Sequence, residues 1–342
     1  MTITSLTAAD VATVPEAVVT TLRGARRVLT VCHENPEADA LGSALAHALL
    51  VEALGGTAWP ICADAVPPMY DFIPGLTRFR RAPEPGVAYD LIVVGDCGEL
   101  ERIGPLLRDH AELFGRVPIL DIDHHKSNAG FGAVDWIDPS AAATCEMTTL
   151  LAARLEVPLD AAGGQLAANL MAGLVIDTAT FQHPSTTPRT LRAAAELVAA
   201  GAPLYETSRR LYRTKPNRQL KLFGLVLARL ESAADGRLVW SRLEDADLAA
   251  TGSDASDSEG LIDLLSQSAT ADIAILFKEA GHQTRLSIRT RDGGIDATQL
   301  AGTWGGGGHA RAAGATVAVP LAQAQAIVLP VAERLIAGLS LA

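Results

Sequence analysis

Two apolar runs in the first half of the chain, LIVVGD (91–96) and ILDID (119–123), break off at a carboxylate. A run without polar alternation belongs to a strand buried on both faces. An acid at the end of such a strand belongs where the backbone emerges into a crevice at the carboxyl edge of a parallel sheet. The surrounding sequence has the matching rhythm. ARRVLTVC (25–32) is followed by a helical pattern, ALGSALAHALLVEAL, then by TAWPICAD, YDLIVVGDC and VPILDIDHH. Strand alternating with helix predicts a doubly wound, mainly parallel α/β sheet.

At 342 residues the chain exceeds one typical domain, and 49% hydrophobic residues spread along it suffice for two cores. After Asp138 and Pro139 the pattern becomes helical until Gly201 and Pro203 stop it, so the first domain is expected over 1–203. Residues 204–228 read as a helical connector. Residues 229–342 read as a smaller mixed-sheet α/β domain, with a cleft between the two. The four cysteines lack CxxC spacing, which argues against a zinc knuckle or a disulfide framework. There is no basic region ahead of an apolar core at the amino terminus and no run of membrane-spanning length, so a cytoplasmic protein without membrane contact is expected. A net charge of −11 repels long nucleic acid but leaves a short anion bound at metals compatible.

The chemistry-bearing residues follow the apolar runs. HENPEADALGS places His33, Glu37 and Asp39 after the first run, Asp96 ends LIVVGD, and Asp123, His124 and His125 end ILDI. Oxygen ligands with imidazole suit a hard divalent cation. For the loop alone, a polar turn with a capping acid is an equal reading; for all these positions together it is not. Asp177 closes the apolar helix GLVID, where a buried charge needs a partner or a metal. A helix cap is the alternative there. GGGGH (305–309) can turn successive backbone N–H groups towards an anion, although an isolated glycine run is more often a flexible turn.

These motifs, in this order and across nearly the whole chain, resemble the DHH phosphoesterase superfamily, within it the nanoRNase/pAp phosphatase group with its DHH-associated substrate domain. The resemblance implies two Mn²⁺ ions per chain, with Mg²⁺ or another divalent metal as the substitute. It implies His33, Glu37 and Asp96 around one and Asp39, Asp96, His124 and Asp177 around the other, Asp96 bridging both. His125 would contact the scissile phosphate or the leaving oxygen, and Asp123 would orient its neighbours. Arg289, Gly306, Gly307, Gly308 and His309 would bind substrate, the Arg289 fork suiting a far phosphate. The implied activity is hydrolysis of short nucleotides: the 3′,5′-bisphosphonucleotide pAp and oligoribonucleotides of a few residues (nanoRNA), or instead pApA and cyclic di-AMP. A homodimer is the implied assembly.

Six basic residues from Arg209 to Lys221 form either a solvated helix face or a guide for a short oligonucleotide. The chain carries Glu37 where the superfamily usually has aspartate, and a nucleotide-binding regulator with a weakened metal site is the alternative of another class. If Glu37 is a working ligand, elemental analysis is expected to find two metal ions per chain. One ion, with Glu37→Asp restoring the second, would overturn that role.

Overall fold

The computed structural model describes residues 5–291 and 294–338, which fall into two compact units, 1–214 and 215–342. The stretch 204–228 is two helices, Leu204–Tyr212 in the first unit and Asn217–Leu227 in the second, with Pro216 as N-cap of the latter.

Among the described residues of the first unit, five strands form one sheet: β1 (Arg27–Cys32), β2 (Thr57–Cys62), β3 (Leu91–Gly95), β4 (Ile119–Asp123) and β5 (Val134–Ile137). The order is β2-β1-β3-β4-β5, and every pairing is parallel. Burial explains the apolar runs. Val28, Leu91, Val93, Leu120 and Ile122 join one core, while Leu29, Val31, Ile92, Val94 and Ile119 join another on the opposite face. β1, β3 and β4 therefore feed two cores with alternate side chains, as the doubly wound expectation requires. The helix Ala38–Ala53 is buried continuously from Ala38 to Val51 and packs on one face of this sheet, so its apolar residues occupy all sides rather than one stripe.

In the second unit six strands form a mixed sheet: β6 (Glu231–Ala233), β7 (Leu238–Leu243), β8 (Ile273–Ala280), β9 (Gln283–Thr290), β10 (Gly307–His309) and β11 (Ala312–Val317), ordered β10-β11-β9-β8-β7-β6. Among the described residues only β7 and β8 of this sheet pair in parallel. The helix Leu321–Ile336, whose Ala324, Val328, Ala332 and Ile336 repeat at four-residue spacing, covers one face. Leu222, Phe223 and Val226 with Leu261, Ile262 and Leu265 cover the other.

Half of the glycine run is a strand rather than an open nest. A Cβ at Gly306 would lie 2.2 Å from the Gly314 carbonyl oxygen, and one at Gly308 2.4 Å from that of Ala312. The glycines are thus required by the close approach of β10 and its preceding turn to β11, a packing reason that composition does not disclose.

Close approach also sets the helix packing in the first unit. A Cβ on Gly42 would meet the Asn169 carbonyl oxygen at 2.5 Å, where the helices Ala38–Ala53 and Gln165–Asp177 touch. Overpacking against a backbone atom, roughly 1–3 kcal/mol, outweighs the ~1 kcal/mol that alanine gains in helix propensity. Gly42→Ala is therefore expected to lower the midpoint of urea unfolding. Gly224→Ala, in a helix with open space at that position, is expected to raise it.

Candidate metal centre

The sheet order reverses direction between β1 and β3, and the crevice at the carboxyl ends beside such a reversal is where open parallel sheets place their ligands. His33 follows β1, Asp96 follows β3, and His124 and His125 follow β4. Asp39 comes from the first turn of the helix Ala38–Ala53 and Asp177 from the last residue of Gln165–Asp177. The structure brings all of these together. Three groups each have donor atoms within 4.8 Å of one another: His33, Glu37 and Asp96; Asp39, Asp96, His124 and Asp177; and Asp96, His124 and His125. Asp96 is common to all three.

Each side chain is aimed by something local. His33 Nδ1 lies 2.7 Å from the Glu34 carbonyl oxygen. A carbonyl only accepts, so Nδ1 carries the proton and Nε2 keeps its lone pair. That Nε2 is 3.7 Å from Asp96 Oδ2 and 3.9 Å from Glu37 Oε1. His124 Nε2 is 3.4 Å from Asp96 Oδ1 and 3.2 Å from Asp177 Oδ2. The Asp39 oxygens accept the backbone N–H groups of Thr144 (2.7 Å) and Cys145 (2.9 Å), which open the helix Thr144–Leu155 and have no partner within it. Gly173 makes room, since a Cβ there would stand 2.2 Å from Asp39 Oδ1. Glu37 is the N-cap of the helix that carries Asp39, accepting from Asp39 N at 2.5 Å and Ala40 N at 2.8 Å. Its extra methylene lets the carboxylate cap the helix and still face His33.

The backbone is bent to the same end. Asp96 has φ 57°, and Ala179, Thr180 and Phe181, just after Asp177, have φ 46°, 59° and 64°. Side chains with a Cβ occupy this left-handed region at an energetic penalty, of order 1–3 kcal/mol each. Thr178 holds the turn by donating to the Leu174 carbonyl at 2.6 Å and accepting from Phe181 N at 2.9 Å.

The electrostatics ask for positive charge. Burial raises the Glu37 and Asp39 carboxyls well above their ordinary range, and the charges of Asp96 and Asp177 push both further. Burial also raises Asp177. Asp96 is the exception: against burial, the His124 imidazole beside it holds it down. Burial opposes the protonation of His124, but its contacts with Asp177 and Asp96 raise it overall. Oxygen-rich donors with imidazole nitrogens, mutually repelling until a cation is shared among them, fit hard divalent ions.

Beside the ligand groups, Asp123 accepts from His125 Nδ1 at 2.7 Å, from His124 N at 2.8 Å and from Asn128 Nδ2 at 2.9 Å. The bond to Asp123 raises His125 and fixes its proton on Nδ1. Asn128 also reaches Asp121 Oδ2 at 2.8 Å. Sequence reading missed Asn128, Thr144, Gly173 and Arg102, whose Nη2 lies 3.5 Å from both ring nitrogens of His33. The ERIG context of Arg102, six residues after Asp96, was the only available signal.

In the second unit Arg289 Nε donates to Asp263 Oδ1 at 2.9 Å, so its fork is engaged in an ion pair. A cavity of about 700 Å³ in that unit is lined instead by Lys278, Arg285, Trp304, Gly305 and Gly306, among others. Gly307, Gly308 and His309 are exposed on β10, outside that lining.

Among known proteins, the DHH family N-terminal domain matches residues 27–201 and the DHHA1 domain matches 238–336. The chain is 33% identical over 287 residues to the bifunctional oligoribonuclease and PAP phosphatase NrnA of Thermus thermophilus, covering 83% of this chain and 82% of that protein. It is 29% identical over 289 residues to the protein of the same name from Bacillus subtilis, covering 83% and 87%. The crystal structure of an exopolyphosphatase-related protein from Bacteroides fragilis superposes with a TM-score of 0.84 at 20% identity, covering 94% of this chain and 95% of that one, which shows the shared fold. No helix among the described residues is long and apolar enough to cross a membrane.

Asp121 provides a pH test of this region. It is buried with Oδ1 unpartnered, and burial raises it to about 7, from 3.8. The native state thus keeps a proton that the unfolded chain releases, so stability falls as pH rises from about 4 to about 7, by about 1.4 kcal/mol per pH unit. Asp121→Asn is expected to remove that slope, so that its stability relative to the wild type grows across this window in denaturant melts and levels off above it.

Proposed function

We propose, on the premise that the chain belongs to the DHH family of phosphoesterases, that it hydrolyses short nucleotides with two divalent metal ions. The proposed substrates are the bisphosphonucleotide pAp and oligoribonucleotides of a few residues. The observation that carries the reading is the pair of ligand groups sharing one carboxylate, Asp96. His33, Glu37 and Asp96 would hold one ion; Asp39, Asp96, His124 and Asp177 would hold the other. Mn²⁺ is the proposed ion, and Mg²⁺ suits the same donors. When bound, such ions neutralise phosphoryl oxygens and make a water nucleophilic at neutral pH.

The chain's own groups do the rest. The Glu34 carbonyl keeps His33 in the tautomer that offers Nε2, and two helix N–H groups lock the Asp39 carboxylate in place. Asp123 holds His125 by Nδ1–H, leaving Nε2 to contact the phosphate or pass a proton to the leaving oxygen. No protein nucleophile is needed. In the second unit, Lys278 and Arg285 supply cations for a nucleotide phosphate, and Trp304 an aromatic face for a base. Arg289, ion-paired with Asp263, is proposed for the same contact.

A second reading, a nucleotide-binding regulator that turns over little, is motivated by Glu37, which stands where the superfamily usually has aspartate and whose carboxylate caps its own helix with Oε1 3.9 Å from His33 Nε2. Product analysis separates the two. Mn²⁺-loaded protein is expected to release phosphate from pAp, or AMP from pApA, with His124→Ala losing at least about a hundredfold in rate. Binding of either nucleotide without product would favour the regulator.

A further inference from the structure

Arg102 occupies the short turn Leu100–Ile103 after β3. Its carbonyl accepts the Glu34 N–H at 2.8 Å and its own N–H donates to the Glu99 carbonyl at 3.0 Å, which ties this turn to the loop carrying His33. Nη2 is 3.5 Å from Nδ1 and 3.5 Å from Nε2 of His33. The guanidinium has only donors, and Nδ1 already spends its hydrogen on the Glu34 carbonyl, so Nδ1 has no lone pair to offer it. Of the two nitrogens only Nε2 keeps a lone pair, so the contact of Nη2 with the ring is at most one long hydrogen bond, and the rest of the guanidinium fork is left to other acceptors.

The charge is what needs an explanation. Two other partly buried arginines of this unit are matched: Arg189 pairs with Glu146 and Asp138, and Arg192 with Asp10. Among the described residues, no carboxylate lies within ion-pair distance of Arg102, although His33 beside it belongs to an acidic ligand group. Arg102 cannot be a metal ligand, and cations held by that group would repel it. It is stable beside them when an anion lies between, and its planar fork matches the oxygens of a phosphoryl group.

We propose that Arg102 is a substrate contact of the metal centre, binding a phosphoryl oxygen on the His33 side. The inference rests on the phosphoesterase reading and deepens it by naming a group that binds the reacting anion from the first unit itself.

The test compares wild type, Arg102→Ala and Arg102→Lys, each loaded with Mn²⁺, by elemental analysis, by calorimetric titration with inorganic phosphate, and by the KM and kcat for pAp. Arg102→Ala is expected to keep its metal ions and its melting temperature while phosphate affinity falls about tenfold to a hundredfold. Lysine is expected to recover part of the loss, and free guanidinium ion to restore part of the turnover of the alanine variant. Unchanged phosphate affinity in Arg102→Ala overturns the proposal, as does a loss confined to protein that has also lost metal, which would mark Arg102 as a support for His33. The two readings fail separately. A wild type that binds phosphate through Arg102 yet turns over neither pAp nor pApA keeps the contact and overturns the hydrolase. A hydrolase whose alanine variant binds phosphate normally overturns the contact alone.

Discussion

The carboxylates of Glu37, Asp39, Asp96 and Asp177 share a space with the imidazoles of His33 and His124, and each ionised acid makes the ionisation of the next more difficult. Two like charges 4 Å apart repel by roughly 4 kcal/mol at an effective dielectric constant of 20. A hydrogen bond to a charged group contributes about 1.5–3 kcal/mol. These magnitudes are comparable, so the cluster holds only if nearly every acid has dedicated donors or a cation. Asp39 has two helix N–H groups, Asp96 has the His124 imidazole and the Thr144 hydroxyl, and Glu37 has two more N–H groups at the start of its own helix. The fold can be read as the scaffold that delivers those donors.

That scaffold explains why the surroundings are so apolar. A helix buried from Ala38 to Val51 can be aimed only by packing, and Gly42 and Gly173 let Gln165–Asp177 approach closely enough to bring Asp177 opposite Asp39. The left-handed residues at Asp96 and after Asp177 then turn the two carboxylates out of a regular strand and a regular helix. Strain of this sort persists where neighbouring structure over-determines the conformation. Here the hydrogen bonds of Thr178 and the pairing of Asp96 N with the Ile122 carbonyl at 3.1 Å do so.

What the sequence disclosed follows from the same physics. The parallel sheet was legible because LIVVG and ILDI feed cores on both faces, and the acids and histidines at their ends because topology alone gathers strand ends. Asn128, Thr144 and Gly173 were not legible. Their roles depend on a side chain meeting another 5 residues away, on backbone N–H groups meeting one 105 residues away, and on a missing Cβ. The helix Leu321–Ile336 was passed over although its buried stripe is regular, and the glycine run does not disclose from composition that half of it is an edge strand. The ion pair of Arg289 was not legible either, because its partner, Asp263, lies in a helical segment 26 residues earlier.

The pairing of Asp39 with the start of the helix Thr144–Leu155 has a temporal consequence. As the chain leaves the ribosome, the loop bearing His33 and Asp39 appears more than a hundred residues before the N–H groups that lock Asp39, and Asp177 comes later still. Contacts of such separation close late in folding. Until then the side of the helix Ala38–Ala53 that packs on Gln165–Asp177 has nothing to cover it, the kind of exposed surface that attracts chaperones. The ligand group of Asp39, Asp96, His124 and Asp177 is therefore complete only when the amino-terminal unit is essentially finished.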